Sequence, residues 1–118
     1  MAALDTQSTP TMVFIGVTTT QSSIMKIFPQ WMQVIGLGAQ IVGYDAPLNA
    51  PNDTYRAIVQ HIKDDPLTYG ALVTTHKIDL LTACRDQFDY LDPYAQLCGE
   101  VSSISKRDGK LRGHAKDP

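Results

Sequence analysis

Apolar residues along this chain follow two different rhythms. Met12-Val13-Phe14-Ile15, closed by Gly16, is a short unbroken apolar run of the kind that makes a strand buried on both faces. After the polar stretch Thr18-Thr19-Thr20-Gln21-Ser22-Ser23, the residues Ile24, Ile27, Phe28, Trp31, Met32 and Ile35 recur at three- and four-residue spacing, which predicts a helix with an apolar stripe. Ser22 or Ser23 is its expected cap, Pro29 its kink or the start of its regular part, and Gly36 with Gly38 its stop. A second strand is predicted over 39–43. The turn-rich connection 45–51 then leads, with Asn52 or Asp53 as cap, into a helix whose Tyr55, Ile58, Val59 and Ile62 share one face and which Pro66 ends. Residues 70–74 read as a third buried strand, and 76–86 as a helix carrying Ile78, Leu81, Cys84 and Phe88. A short helix over 93–97 and a hairpin, 99–105 turning at Asp108-Gly109 into 110–113, complete the pattern.

Strand alternates with helix three times, at spacings that suit parallel strands covered by helices. The expected fold is therefore α/β: a three-layer αβα arrangement around a mixed, mainly parallel sheet of about six strands. Residues 1–11 read as a flexible lead and 12–118 as a single domain. The final stretch, Gly113 to Pro118, follows a strand with no closing element, so the chain reads as cut rather than finished.

Composition narrows the choice of partners. The formal charge of −2 comes from interspersed signs, with no basic stripe for nucleic acid and no polybasic segment for a membrane. Cys84 and Cys98 form no CxxC and have no histidine at zinc-ligand spacing, so no metal site is expected; both read as plain buried thiols. No apolar run is long enough to span a bilayer and the polar start lacks a secretory pattern, which makes the cytoplasm the expected compartment.

Candidate chemistry gathers at strand ends. Gly36-Leu37-Gly38 lacks a third glycine and runs from helix to strand, the reverse of a pyrophosphate loop, so no cofactor-binding residue is expected in the chain. The hydroxyls of Thr18, Thr19, Thr20, Ser22 and Ser23 leave a strand end and enter a helix start, where hydroxyls and free N–H groups hold carboxylates. One cap would need one of them; five suggest either a carboxylate site or a merely polar loop. Thr74-Thr75-His76-Lys77 falls at the same kind of strand end. Lys77 gains chemical interest only if a second group joins it, and Asp117 is the candidate.

These stretches resemble the substrate-binding domain of the shikimate dehydrogenases. GALVTTHK, AQLCGEVSSI and DGKLRGHAKD are similar, in order and separation, to that family's GxNVTxPHK, AxxxGAVNTI and DGxLxGxNTDG, and GVTTTQSSIM is similar to its strand-loop-helix start. The resemblance implies catalytic roles for Lys77 and Asp117, and substrate contacts for Thr20, Ser22, Thr74 and Ser102. Leu72, Ser102-Ser103 and Ala115-Lys116 replace asparagines and threonines of the pattern, and a proline is missing before His76. Because a buried polar group left unpaired is costly, such replacements imply a substrate changed from shikimate.

A Lys beside a carboxylate either relays a proton at an alcohol or ketone, if burial keeps its pKa down, or polarises the ketone oxygen as a cation. His114 and Lys116 favour an anionic ligand, partly offset by Glu100. The implied protein is an oxidoreductase using NADP or NAD on a small anionic cyclic hydroxy or keto carboxylate, with no cofactor bound by this stretch and with homodimer formation open. The alternative is a non-catalytic small-molecule-binding or regulatory module that keeps the fold.

Overall fold

The computed structural model describes residues 7–36 and 38–115. Six strands form one sheet in the order β2-β1-β3-β5-β6-β4, with β1 at Thr11–Gly16, β2 at Gln40–Asp45, β3 at Thr68–Val73, β4 at Tyr90–Leu91, β5 at Ser103–Arg107 and β6 at Lys110–His114. The pairs β1–β2, β1–β3 and β4–β6 are parallel, whereas β3–β5 and β5–β6 are antiparallel. The expected mixed, mainly parallel α/β sheet is therefore what forms. Helices α1 (Ile24–Ile35), α2 (Asn52–Asp64), α3 (Lys77–Cys84) and α4 (Pro93–Cys98) connect the strands and cover both sides of the sheet.

The alternation of the pleat assigns the core to one face. Val13, Ile15, Ala71, Val73, Ile104 and Leu111 point to the same side, where Tyr55, Ile58, Val59 and Ile62 of α2 and Leu80, Leu81 and Cys84 of α3 close over them. Arg56 ties these two helices together, donating to both carboxylate oxygens of Asp86 (2.6 and 3.0 Å) and to the Ala83 carbonyl. The C-terminal end of α2 is held by the Lys106 ammonium, which donates to the carbonyls of Ile62 and Asp65 and satisfies acceptors that the helix itself leaves open. Burial lowers the pKa of that ammonium.

Several local expectations change. Helix α1 contains Pro29, which has no N–H to offer the Met25 carbonyl, and Ser23 takes helical angles without a side-chain cap because a 3-10 turn at Thr19–Gln21 already leads into the helix. Its stripe is only half-buried, with Trp31 and Ile35 exposed. Gly36 does stop it, in the left-handed conformation at φ 74°. Pro51, not Asn52 or Asp53, sits at the cap of α2. Ile78 is exposed on α3, whose inner face is Leu80, Leu81 and Cys84. The described part of the expected flexible lead is bonded to the domain: the Gln7 N–H donates to Asp65 (3.1 Å), and Thr11 is buried in β1; residues 1–6 lie outside the described residues.

The two cysteines differ, against the expectation that both are buried. Cys84 lies in the core and burial pushes its thiol up to about 12, whereas Cys98, at the end of the short α4 that buries only Ala95, is exposed. Since the thiolate is the reactive form, native protein treated with iodoacetamide at neutral pH should take one label, at Cys98, and two only after unfolding. Rapid native labelling of Cys84 would contradict this packing.

Candidate functional site

Parallel pairing fixes where ligand-facing residues emerge. The C-terminal ends of β1, β2 and β3 lie at one edge of the sheet, and antiparallel β5 starts there while β6 ends there. At this edge the chain after β1 turns through Thr18–Ser22, and the chain after β3 turns through Thr74–His76 into α3. Backbone bonds hold both turns against the sheet: Thr74 N–H donates to the Ile15 carbonyl (3.0 Å), and Ala46 N–H to the Gly16 carbonyl (2.8 Å). Between the turns opens a cleft of about 360 Å³, lined by Phe14, Gly16, Val17, Thr18, Thr19, Gln21, Ser22, Thr74 and Thr75. Its lining is hydroxyl-rich above an apolar floor, which suits a small hydroxylated molecule.

Thr19 and Asp45 shape one wall. The Thr19 N–H donates to Asp45 Oδ1 (2.8 Å), and hydrogen bonds from the Thr19 backbone and side chain hold the Asp45 carboxyl below the usual carboxylate range. The buried Thr19 side chain lies on Gly43, where an added Cβ would come within 2.1 Å of its Oγ1. One donor of the loop is thus already spent on an internal carboxylate. Thr18, Ser22, Thr74 and Thr75 remain as lining hydroxyl residues.

The second wall is strained and braced. Thr75 has φ 65°, a left-handed conformation that a β-branched residue rarely takes. Around it, His76 N–H donates to the Thr74 carbonyl (2.6 Å), the His76 carbonyl receives the Leu80 N–H (2.8 Å), and the Lys77 carbonyl receives the Val101 N–H (3.1 Å). His76 is fully buried, with Nδ1 2.8 Å from the hydroxyl of the equally buried Tyr55. This histidine is therefore a brace for the turn and not a lining group.

The expected site residues separate accordingly. Ser22 and Thr74 line the cleft together. Thr20 is exposed on the 3-10 turn and is not among the lining residues. Lys77, half-buried, opens α3 two residues beyond the lining Thr75. Ser102 is buried at the same edge, where its carbonyl accepts from Val73 N–H (2.8 Å) and its hydroxyl donates to the His114 carbonyl (3.3 Å). Asp117 and Lys116 lie outside the described residues. Sequence reasoning passed over Phe14, Val17, Gln21 and the Asp45–Thr19 link; a glycine inside the strand QIVGYD was the available signal of a close approach.

Among the described residues no His, Cys, Asp and Glu group is placed to hold a metal, and no helix is long and apolar enough to cross a membrane. Gly36 serves as the stop of α1 before β2, at the sheet edge opposite the cleft.

Known structures share this fold. Shikimate 5-dehydrogenase from Listeria monocytogenes, solved with shikimate and NAD, matches 97% of this chain at 20% identity and TM-score 0.75, over 37% of its own length. Shikimate dehydrogenase 1 from Peptoclostridium difficile matches 89% at 18% identity and TM-score 0.72, over 36% of its length. The 5-ketofructose reductase of Gluconobacter sp. strain CHM43 matches 90% at 21% identity and TM-score 0.70, over 35% of its length. The chain thus has the shikimate-dehydrogenase fold and spans little more than a third of those proteins. No family model and no curated protein matches its sequence.

Two substitutions test the first wall. Gly43→Ala drives a methyl group into Thr19 and should destabilise the protein by about 1–3 kcal/mol while disordering the 18–22 turn, measured by urea unfolding and amide exchange. Asp45→Asn tests its charge. Because the folded-state pKa of Asp45 is lowered, its contribution is present above the unfolded value near 4, and is lost as pH falls through the folded value. The stability gap between wild type and Asp45→Asn should therefore shrink on acidification below about pH 4; a gap independent of pH would remove the carboxylate from the account.

Proposed function

We propose that this chain is the substrate-binding part of a shikimate-dehydrogenase-like, nicotinamide-dependent oxidoreductase that acts on a small cyclic hydroxy or keto carboxylate other than shikimate. The observation that carries the reading is the meeting of Ser22 and Thr74 in one hydroxyl-lined cleft, with Lys77 opening the helix beside it, on a fold shared with oxidoreductases. The hydroxyls of Thr18 and Ser22 serve as donors to the ligand carboxylate, and those of Thr74 and Thr75 to its ring oxygens. Lys77 holds or moves the proton at the reacting oxygen, with Asp117 as its proposed partner.

A nicotinamide cofactor, NADP or NAD, would be held by residues outside this chain, and its hydride chemistry is no property of the residues described. Leu72 explains why the substrate should differ. It pairs with Phe14 on β1 and Ser103 on β5, so an apolar side chain stands where the resembling pattern carries an asparagine, and a hydroxyl aimed there would find no partner.

Thermal unfolding of the chain with shikimate, quinate and related cyclic carboxylates tests the reading. A ligand at a hundred times its Kd adds about 2.7 kcal/mol of stability, a rise of several degrees in Tm. The rise should be lost in Thr74→Val and reduced in Lys77→Ala. No shift with any cyclic hydroxy acid, or a shift indifferent to Thr74→Val, would overturn the assignment.

A further inference from the structure

The sheet face opposite the core carries a second set of polar groups in contact. In the β5–β6–β4 half, Ser105 pairs with Arg112, Ser103 with His114, and Tyr90 with Arg112, so these side chains share the uncovered face. There His114 Nε2 lies 3.1 Å from the exposed Ser105 Oγ, while His114 Nδ1 lies 3.5 Å from Asp92 Oδ2. Exposure grades from acid to nucleophile: the Asp92 side chain is 8% exposed, that of His114 is 22% exposed, and Ser105 is open to solvent.

The acid is fixed in place. Asp92 caps α4 by accepting from the Ala95 N–H (2.7 Å), and it also accepts from the Ala115 N–H (3.4 Å), so its carboxylate is oriented independently of the histidine. The imidazole is flanked by the Tyr90 ring at 6.4 Å, and the Arg112 guanidinium sits over that same ring at 5.8 Å. Capping accounts for one oxygen of Asp92. It does not require a histidine at the other, nor a serine on the far nitrogen of that histidine.

We propose that Ser105, His114 and Asp92, none of which lines the cleft, form a serine-hydrolase-type constellation that cleaves small, unhindered acyl esters. The roles follow from which atom faces which. Ser105 Oγ forms a bond to the acyl carbon while its proton passes to His114 Nε2. The bond from that carbon to the alcohol oxygen breaks, and the alcohol leaves with the proton from His114. Water then adds to the acyl-serine by the same relay, releasing the carboxylic acid and restoring Ser105. Asp92 Oδ2, within ion-pair distance of Nδ1, stabilises the cationic form of the imidazole by its charge. Arg112, the cross-strand neighbour of Ser105, supplies the positive charge for the developing oxyanion. Ser105, Arg112 and Tyr90 are all exposed on this face, hence the restriction to small esters.

The test treats the native chain with a fluorophosphonate serine probe and with 4-nitrophenyl acetate. Peptide mapping should place the label on Ser105. Ser105→Ala, an exposed substitution that leaves the fold intact, should abolish labelling and lower ester turnover by more than about tenfold, as should His114→Gln. Asp92→Asn should lower turnover further than its loss of stability explains, because it removes the charge that stabilises the protonated base. Absence of label on Ser105 in folded protein, or turnover unchanged in Ser105→Ala, would overturn the proposal.

Discussion

Where β1 lies decides what the molecule can bind. It is the first strand in the sequence yet occupies an interior position, paired in parallel with β2 on one side and β3 on the other. Two right-handed crossovers are needed to reach those neighbours, and they carry α1 and α2 to opposite sides of the sheet. As a consequence three strands end at one edge, and the two loops richest in hydroxyl groups emerge as neighbours although more than fifty residues separate them in sequence. The cleft is a product of that pairing more than of any residue in it.

Much of this was legible in the chain. β1 announces itself as an unbroken apolar run because both of its faces are covered, β3 as a shorter run although its Tyr69 stays exposed, and α2 by a four-residue apolar face that the core claims in full. Asp108-Gly109 gave the hairpin because both residues adopt positive φ, 53° and 75°, the conformation a tight two-residue turn demands. β4 was invisible: two residues have no period, and Tyr90-Leu91 becomes a strand only because β6 offers it a partner. The stripe of α1 predicted a depth of burial that its position over the outermost strand does not supply.

The site divides in the same way. Ser22 and Thr74 could be nominated from their places after strands, and they do meet. Thr20 could not be separated from its neighbours by sequence, since only the 3-10 turn decides that Thr19 faces inward and Thr20 outward. Contacts made across the fold left little local trace, Gly43 in β2 being the exception. The Asp45 carboxylate on the Thr19 N–H, the Tyr55 hydroxyl on buried His76, and the Asp92–His114–Ser105 line all join residues at least nine apart in sequence.

The central claim is that the turn after β1 and the turn after β3 form one ligand-binding surface. Backbone amide NMR shifts of the chain, followed during titration with a cyclic hydroxy carboxylate such as quinate, test it most directly. The account predicts saturable shifts confined to Gly16–Ser22 and Thr74–Lys77, with Asp65–Thr68 and Lys106–Lys110 at the opposite edge unmoved. Shifts centred on that opposite edge, or in only one of the two turns, would contradict it.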